Sequence, residues 1–395
     1  MNEYLNIKNS CKIIYGFNGA VIYDFDKSIK YNIFDAESKI LFDLQSGQPI
    51  EQLFKKYDNK ILKNLISNLN ETGVGYLSES FIPVEPYRIG NLRLSSSQKT
   101  YTLNTAYIEL PTDCNKNCSY CNSSKISGCY SCSVAKNIDN KDSLFYRKLI
   151  DSLNLYNCKN FIFHGGNPLI DWSFTKPILD YLMSKKDNSS IFIITNDSII
   201  DKNILNYISK NKINLIINVN YTNNYSAEKL YYLYDILHNN IIVNFNVNHN
   251  YIDNFKNSYI DLINNYKNIT YSIYSDKESL KVNYSTDLPN NPINIDLFNA
   301  LDSSHPCLFG KISIKSDKKV YPCIGFNNNE LLDLSMKSLE YLLFETNNLF
   351  NFWSLSLNDI EHCSDCKFRK CCSDCRAFEL SNHSNINVKL SCNNI

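Results

Sequence analysis

The chain has 395 residues and a formal net charge of +0, with 44% hydrophobic and 20% charged residues. This composition is typical of a globular protein with two or three domains and excludes a disordered chain. Its balanced charge indicates no nucleic-acid or membrane partner; without a signal pattern or an apolar run of ~18 residues, the sequence predicts a soluble cytoplasmic protein.

The first 85 residues are predicted to form a separate small domain. Three short β-like runs form a meander whose first turn is Asn18-Gly19, a strong two-residue hairpin signal. Three stretches with helical periodicity and a returning strand follow. The predicted strands are Cys11–Phe17, Ala20–Phe25, Lys30–Phe34 and Gly75–Phe81, and the predicted helices are Ala36–Leu44, Pro49–Tyr57 and Asn59–Asn70. Residues 86–101, with a serine run, are predicted to be a linker.

Residues 102–290 alternate strands with helices, as in a parallel sheet or barrel. Strand runs such as Phe161-Ile162-Phe163 are continuously apolar, which is typical of strands covered on both faces. The predicted strands are Thr105–Leu110, Asn160–His164, Ser190–Thr195, Asn214–Asn220, Ile241–Asn248 and Thr270–Tyr274. The predicted helices are Ser143–Tyr156, Ser173–Lys185, Lys202–Lys210, Ala227–Leu237 and Ile252–Tyr266. Functional sites on such sheets lie at the carboxyl ends of the strands.

Three thiols, Cys114, Cys118 and Cys121, follow the first strand of this region. The chain has 15 cysteines, an odd number, which in a reducing cytosol argues for metal or redox cofactors and against a disulfide scaffold. Three thiolates on one loop suit a cubane iron–sulfur cluster whose fourth iron stays open to a substrate. A structural zinc site, which needs a fourth ligand, is the alternative.

Polar loops follow the next two strands. His164-Gly165-Gly166-Asn167-Pro168 contains paired glycines, which let a ligand approach the backbone closely. Thr195-Asn196-Asp197 follows the third strand, where Asn196 either contacts a ligand or caps the turn. Beyond the three-thiol loop, Cys129 and Cys132 form a CxxC that is a redox pair, a metal-binding pair or simply two loop thiols.

A second concentration of cysteines lies near the end of the chain. Cys307 and Cys323 flank a predicted β-hairpin with its turn at residues 316–319, which brings the two thiols together. The eight thiols of this region suffice for two four-cysteine clusters, or for zinc. They are Cys307, Cys323, Cys363, Cys366, Cys371, Cys372, Cys375 and Cys392.

The three-thiol loop, with Tyr120 before its last cysteine, and the Gly-Gly turn one strand later resemble the motifs of radical S-adenosylmethionine (SAM) enzymes. The resemblance implies an α/β fold with a partial (βα)6 TIM-like barrel. It also implies that the three thiols hold a 4Fe-4S cluster, which with SAM gives a 5′-deoxyadenosyl radical. The implied SAM-binding residues are Tyr120, Gly165, Gly166, Asn167 and Asn196. Asn167 stands where the family typically has Glu, so a negative charge is missing from this site.

The cysteine order after residue 300 resembles the SPASM extension of peptide- and protein-modifying radical SAM enzymes, and the Cys363–Ala377 run is similar to the maturases of grasp-with-spasm systems. This resemblance implies two auxiliary 4Fe-4S clusters. The first would bind Cys307, Cys323 and Cys375, with its fourth ligand left open between Cys371, substrate and water. The second would bind Cys363, Cys366, Cys372 and Cys392, although the Cys371–Cys372 doublet leaves its third ligand ambiguous.

The order of strands and helices in residues 1–85 resembles the winged-helix-like peptide-recognition domain of such enzymes, which takes a leader peptide as an added strand. An architectural cap is the alternative. The implied domains are therefore 1–85 for recognition, 86–101 as linker, 102–290 as barrel and 300–395 as SPASM domain.

The expected function is hydrogen abstraction from a ribosomal precursor peptide that carries a leader. An ATP-grasp ligase and an electron donor of the flavodoxin or ferredoxin type are the implied protein partners. Cys129 and Cys132 are candidates for substrate contact or hydrogen donation. The alternatives are maturation of a folded protein, or a catalytically silent iron–sulfur or zinc scaffold that presents the peptide to the ligase.

Overall fold

The structure is a computed structural model. It describes residues 3–83, 103–122, 126–132, 135, 139, 141–185, 188–198, 200–222, 228–265, 268–275, 293–305, 307–382 and 385–392. The expected linker at 86–101 lies outside the described residues. Among the described residues, no helix has the length and apolarity that crossing a membrane requires.

The N-terminal part contains two small antiparallel sheets and three helices. A strand that the sequence did not predict, β1 (Tyr4–Ile7), pairs with the returning strand, which ends at Ser78 and not at Phe81. The other strands are β2 (Cys11–Gly16), β3 (Gly19–Asp24), β4 (Ile29–Ile33) and β5 (Gly75–Ser78), and the helices are α1 (Asp35–Gln45), α2 (Ile50–Leu53) and α3 (Asn59–Glu71). The meander β2-β3-β4 is confirmed, and its first turn has positive φ at both Asn18 and Gly19.

Capping explains where the longest of these helices begins. The Asp58 side chain accepts hydrogen bonds from the backbone amides of Lys60 and Ile61, two of the donors that a helix start leaves unpaired. The helix predicted at Pro49–Tyr57 is shorter than expected, because only Ile50–Leu53 adopts regular α-helical structure.

The body of the protein is a sheet of ten described strands with a parallel centre. The six predicted strands pair in parallel and in chain order, as the alternating pattern indicated. They are β6 (Thr105–Glu109), β8 (Asn160–His164), β9 (Ser190–Asn196), β10 (Asn214–Asn220), β11 (Ile241–Asn248) and β12 (Ile269–Tyr274). The connecting helices are α4 (Ser143–Leu155), α5 (Trp172–Ser184), α6 (Lys202–Lys210), α7 (Glu228–Leu237) and α8 (Ile252–Asn265).

Strands from elsewhere in the chain extend this sheet at both edges. The two-residue strand β7 (Ile126–Ser127) pairs antiparallel with β12. At the other edge, β13 (Lys311–Ile314) pairs parallel with β6 and antiparallel with β14 (Lys319–Tyr321), and β15 (Leu332–Asp333) follows. The predicted hairpin is therefore confirmed, but it continues the central sheet and does not stand apart from it.

The two faces of the sheet carry different side chains. Phe161 and Phe163 pack into the main core with the helices, whereas Ile162 between them belongs to a second cluster on the inner face with Tyr107 and Tyr120. This alternation follows from the two-residue period of a strand. The inner face therefore forms a separate interior, into which the strand-end loops project.

The C-terminal part has short helices and long irregular stretches. The helices are α9 (Ile295–Ala300), α10 (Asn348–Trp353) and α11 (Arg376–Asn382), with a π-helical turn at Tyr341–Glu345. A fully buried carboxylate, Asp374, accepts hydrogen bonds from Arg376 and Lys389 and lies 3.0 Å from His305 Nε2. Charges that are buried in this way stay ionised only when they are paired.

Candidate active site and auxiliary metal sites

The three-thiol loop begins where β6 ends, at the carboxyl edge of the parallel sheet. A short 3-10 turn at Ser119–Asn122 carries its last part, and the backbone amide of Cys121 donates to the carbonyl of Cys118 at 3.1 Å. All three thiols are partly buried. A hydrogen bond with Cys121, together with burial, raises the pKa of Cys118. The loop thus places the Cys118 and Cys121 thiols side by side, with Cys114 close enough to interact electrostatically with Cys121.

The Gly-Gly turn packs directly against the backbone that leads into this loop. Gly165 and Gly166 have φ angles of +109° and +59°, and a Cβ added at Gly166 would lie 2.5 Å from the carbonyl oxygens of Thr112 and Asp113. The backbone amide of Asn167 donates to the backbone carbonyl of Asp113 at 2.8 Å. The glycines therefore allow two loops to approach one another, in addition to any ligand they contact.

A chain of amides connects the Gly-Gly turn with the cluster loop. The Asn167 Oδ1 atom accepts from the Leu169 amide at 3.1 Å and from Thr195 Oγ1 at 2.8 Å. The Asn167 Nδ2 atom donates to Asn196 Oδ1 at 3.4 Å. The Asn196 Nδ2 atom in turn donates to Cys114 Sγ at 3.5 Å. Asn196 also caps its own turn by accepting from the Ser198 amide. The structure thus brings Asn167, Asn196 and Cys114 together.

Two buried residues near this turn were not predicted as site residues. His164 is 1% exposed, and within the described part of the chain neither ring nitrogen has a hydrogen-bond partner. Burial lowers its pKa to about 4, against the opposing effect of Glu109. The Glu109 carboxylate accepts from the backbone and hydroxyl of Ser316 at 2.9 and 2.7 Å. Both residues end parallel strands on the inner face, and that position was the signal that could have identified them.

The CxxC loop packs against the inner face of the sheet, and its two thiols lie in different places. The Asn218 side chain donates to the Tyr130 carbonyl at 2.8 Å, and Ser131 Oγ donates to Asn246 Oδ1 at 2.7 Å. Cys132 Sγ lies 3.6 Å from the Tyr120 hydroxyl, next to the three-thiol loop. Cys129 Sγ lies instead 3.3 Å from Cys307 Sγ.

Cys307, Cys323 and Cys375 form the first group of late cysteines. Cys307 and Cys375 line a cavity of about 250 Å³, and Cys129 lines it with them. Burial raises the pKa of Cys375 to about 11, opposed by hydrogen bonds from the backbone amides of Phe378 and Gly128. Nearby thiolates raise the pKa of Lys311 against the effect of its burial, so a cation faces this group.

Cys363, Cys366, Cys372 and Cys392 form the second group, around the buried ammonium of Lys389. Lys389 Nζ lies 3.7 Å from Cys372 Sγ and 2.6 Å from Asp374 Oδ1. Burial raises the pKa of Cys366, and the charge of Cys392 adds to this effect. The Cys363 thiol likewise interacts with Lys389 and Cys372.

The side chains of the adjacent residues Cys371 and Cys372 have different neighbours. Cys371 is fully buried, and its sulfur accepts from the Tyr23 hydroxyl at 3.5 Å and from Lys30 Nζ at 3.9 Å. Tyr23 and Lys30 belong to the N-terminal meander, so Cys371 contacts that part of the protein, whereas Cys372 faces Lys389.

The donor chemistry of these sites fits iron–sulfur clusters. Among the described residues, no group of three or more His, Cys, Asp or Glu side chains is placed to hold a single metal ion. The cysteines of an iron–sulfur cube each bind a different iron, so grouped thiols with cations and amide donors nearby are the relevant features. Both late groups and the three-thiol loop have such thiols.

Comparison with solved structures identifies proteins of similar fold. Polyhistidine-tagged anSMEcpe with bound AdoMet matches with a TM-score of 0.50 and 16% identity, covering 73% of this chain and 90% of that one. Native anSMEcpe with bound AdoMet and Cp18Cys peptide matches with a TM-score of 0.50 and 18% identity, covering 72% and 92%. Streptococcus suis SuiB bound to precursor peptide SuiA matches with a TM-score of 0.45 and 14% identity, covering 97% and 98%.

No protein-family model matches the sequence, and no curated protein matches it either. The structural neighbours nevertheless confirm the α/β fold that the sequence resemblance implied. At these identities the likeness concerns the α/β architecture with its large central sheet.

Proposed function

We propose that this chain is a radical SAM enzyme that modifies a ribosomally made precursor peptide. The observation that carries the proposal is the position of the three-thiol loop. It follows the first parallel strand of a sheet that shares its fold with a protein solved with bound AdoMet, and the Gly-Gly turn packs against it. This is the sheet edge at which parallel α/β proteins place their sites.

Each residue of the proposed active site has a definite task. Cys114, Cys118 and Cys121 would hold a 4Fe-4S cluster, which together with SAM supplies one-electron cleavage to a 5′-deoxyadenosyl radical. Asn196 donates to the Cys114 sulfur and so orients this ligand. Tyr120 lies in the apolar inner cluster, which excludes water from a reactive species.

SAM would lie against the loop formed by Gly165, Gly166 and Asn167. The Asn167 side chain is 3% exposed, and its oxygen already accepts two hydrogen bonds. A carbonyl oxygen has two acceptor sites, so the remaining acceptors for a SAM ammonium are backbone carbonyls. We therefore expect weaker SAM binding here than in relatives that have Glu at this position.

Two auxiliary 4Fe-4S clusters complete the proposed cofactor set. Cys307, Cys323 and Cys375 would bind the first. Cys363, Cys366, Cys372 and Cys392 would bind the second, and Cys372 is chosen because it faces Lys389 while Cys371 contacts the N-terminal meander. The clusters would transfer the electron left after hydrogen abstraction, in a reducing cytoplasm with a flavodoxin- or ferredoxin-type donor.

Residues 1–85 would recognise the leader of the peptide, ahead of a linker at 86–101, a barrel at 102–290 and a SPASM domain at 300–395. Contacts between the N-terminal meander and the segment that carries the late cysteines support these proposed domain roles. Lys367 Nζ donates to the Asn18 and Ile33 carbonyls at 2.9 and 3.3 Å, and the Phe17 amide donates to the Asp365 carbonyl at 2.8 Å. A peptide bound to the meander would thus lie near the second cluster. An ATP-grasp ligase would act on the same peptide.

A catalytically silent scaffold is the second candidate function. The observation that favours it is Asn167, whose uncharged and already hydrogen-bonded side chain offers little to SAM. Such a scaffold would present the peptide to the ligase without radical chemistry.

Release of 5′-deoxyadenosine separates the two candidates. We expect the anaerobically reconstituted chain to release it from SAM when dithionite is added, and Cys118→Ala to abolish the release. Cys158→Ala is the matched control, because Cys158 is buried in the main core away from the loop. Wild-type protein that is fully loaded with iron and releases none would contradict the enzyme and favour the scaffold.

A further inference from the structure

The contact between Cys129 and Cys307 joins the two ends of the barrel sheet. Cys129 follows β7, which pairs with β12 at one end of the parallel strands. Cys307 precedes β13, which pairs with β6 at the other end. The two residues are 178 positions apart, yet their sulfurs lie 3.3 Å from each other. The sheet therefore curves until the loop after β7 meets the segment before β13 at this pair of thiols.

Cys129 borders the same cavity as two proposed ligands of the first auxiliary cluster. The cavity measures about 250 Å³ and is lined by Cys129, Cys307 and Cys375, with Lys311 and Asp374 beside them. A water molecule occupies about 30 Å³ in the liquid, so the space is far larger than one water needs. The Cys323 thiol also interacts electrostatically with Cys307 and Cys375. Cys129, Cys307 and Cys375 thus border one space, and the Cys323 thiol lies close enough to Cys307 and Cys375 to interact with both.

The backbone before Cys129 is held in place by close packing. Gly128 has a φ of +143°, and a Cβ added there would collide with Ser272 Oγ on β12. Its amide hydrogen-bonds to the Cys375 sulfur. Amide donors to cysteine sulfur are one of the ways in which proteins tune iron–sulfur clusters. The position of Cys129 is therefore set by both the sheet and the late cysteines.

Lys311 supplies the positive charge that four thiolates need. Lys311 lines the same cavity as Cys129, Cys307 and Cys375. A cation beside grouped sulfurs compensates for the negative charge that the thiolates acquire when they bind metal and release their protons.

We propose that Cys129 is the fourth protein ligand of the first auxiliary cluster, so that this cluster fastens the two ends of the barrel sheet together. The inference rests on the proposed function, because it assumes that Cys307, Cys323 and Cys375 bind iron. It replaces Cys371, substrate and water as the fourth ligand, and it removes Cys129 from the candidates for hydrogen donation. A cluster with four cysteine ligands has no open iron, so it transfers electrons and does not chelate the peptide.

Metal content and spectra of the full-length reconstituted chain test this assignment. We expect about twelve iron atoms in the wild type, four for each of three cubes. Cys307→Ala and Cys129→Ala should both lose about four iron atoms, or both alter the same reduced-cluster EPR signal. The control is Cys158→Ala, a buried cysteine of the main core, which should keep the wild-type iron content and the EPR signal of the auxiliary cluster.

The outcomes separate the assignment from the proposed function. If Cys307→Ala loses iron while Cys129→Ala matches the control, Cys129 is not a ligand. If Cys307→Ala itself leaves the iron content unchanged, Cys307 does not bind an auxiliary cluster, and both that part of the proposed function and the assignment of Cys129 are rejected.

Alkylation of the wild type covers the case in which Cys129→Ala does not fold. Under native conditions, iodoacetamide should leave Cys129 unmodified in the iron-loaded chain and modify it after the iron is removed with ferricyanide and EDTA. Equal modification before and after removal would overturn the proposal.

Discussion

Replacing Gly166 by alanine should destabilise the protein at the junction of the Gly-Gly turn and the three-thiol loop. The added Cβ would lie 2.5 Å from two backbone carbonyl oxygens, those of Thr112 and Asp113, and the backbone φ is +59°. The left-handed conformation alone costs a non-glycine residue about 1–2 kcal/mol. Displacing packed backbone adds about 1–3 kcal/mol. We therefore expect Gly166→Ala to lower the free energy of unfolding by roughly 2–5 kcal/mol.

Gly310→Ala is the control that isolates the collision. Gly310 has a similar φ of +70°, but a Cβ there meets only the Asn104 side chain, whose amide nitrogen would lie 2.7 Å away. Asn104 is exposed and can rotate. Only the conformational cost of about 1–2 kcal/mol should therefore remain.

Urea unfolding followed by tryptophan fluorescence measures both variants, since Trp172 and Trp353 lie in the body of the protein. Because Cys114 directly follows Asp113, Gly166→Ala should also retain less iron at the three-thiol loop, whereas Gly310→Ala should not. Equal losses of stability in the two variants, within about 0.5 kcal/mol, would refute the reasoning from close approach.

Three further predictions concern buried groups. The folded-state pKa of His164 is about 4, below the ~6.5 of an unfolded chain, so stability is complete above pH 6.5 and falls as the pH drops towards 4. Between pH 7 and pH 5 the wild type should lose about 2 kcal/mol more than His164→Gln in urea titrations, and parallel pH profiles would contradict this. Lys311→Met should make the midpoint potential of the proposed first auxiliary cluster more negative, by on the order of tens of millivolts, because the lost positive charge favours the reduced form; an unchanged potential in redox-titrated EPR would show that Lys311 does not act on the cluster. Cys372→Ala should lose about four iron atoms while Cys371→Ala keeps the full content, and the reverse result would assign Cys371 as the ligand.

The central sheet could be predicted because its strands carry a strong local signal. The runs Phe161-Ile162-Phe163 and Leu215-Ile216-Ile217 are continuously apolar. The strands around them, Asn160–His164 and Asn214–Asn220, have the predicted bounds. The helix Lys202–Lys210 was also predicted with its observed bounds, since its apolar residues follow a helical period. The local pattern of apolar residues is thus sufficient to predict the bounds of an element whose burial is visible in its own sequence.

Elements that depend on tertiary pairing could not be predicted in this way. The strand Ile126–Ser127 has two residues, too few to show any period, and it exists only because β12 offers a free edge. Tyr4–Ile7 likewise forms a strand only by pairing with Gly75–Ser78, far along the chain. The hairpin at Lys311 was expected, but its parallel pairing with β6 requires a long-range contact that no local pattern encodes.

In the candidate site, likewise, the sequence motifs could be predicted but the positions of individual side chains could not. Spacing alone singled out the three-thiol loop and the late cysteines, because ligands on one turn are close in sequence. It could not divide Cys371 from Cys372, since neighbouring side chains point in directions set by what each part of the chain packs against. Here the N-terminal meander contacts Cys371 through Tyr23, while Lys389 faces Cys372.

The late cysteines also connect the parts of the chain that the proposed reaction must coordinate. The 365–371 segment hydrogen-bonds to the N-terminal meander through Lys367 and Asp365, and Cys371 fills the junction. The Cys375 sulfur receives the Gly128 amide from the loop that enters the barrel. A cluster bound on either side of Asp374 would therefore stiffen a path from the N-terminal meander to the inner face of the central sheet. Because iron binding orders the ligands that hold it, loss of an auxiliary cluster should loosen peptide positioning as well as interrupt electron transfer.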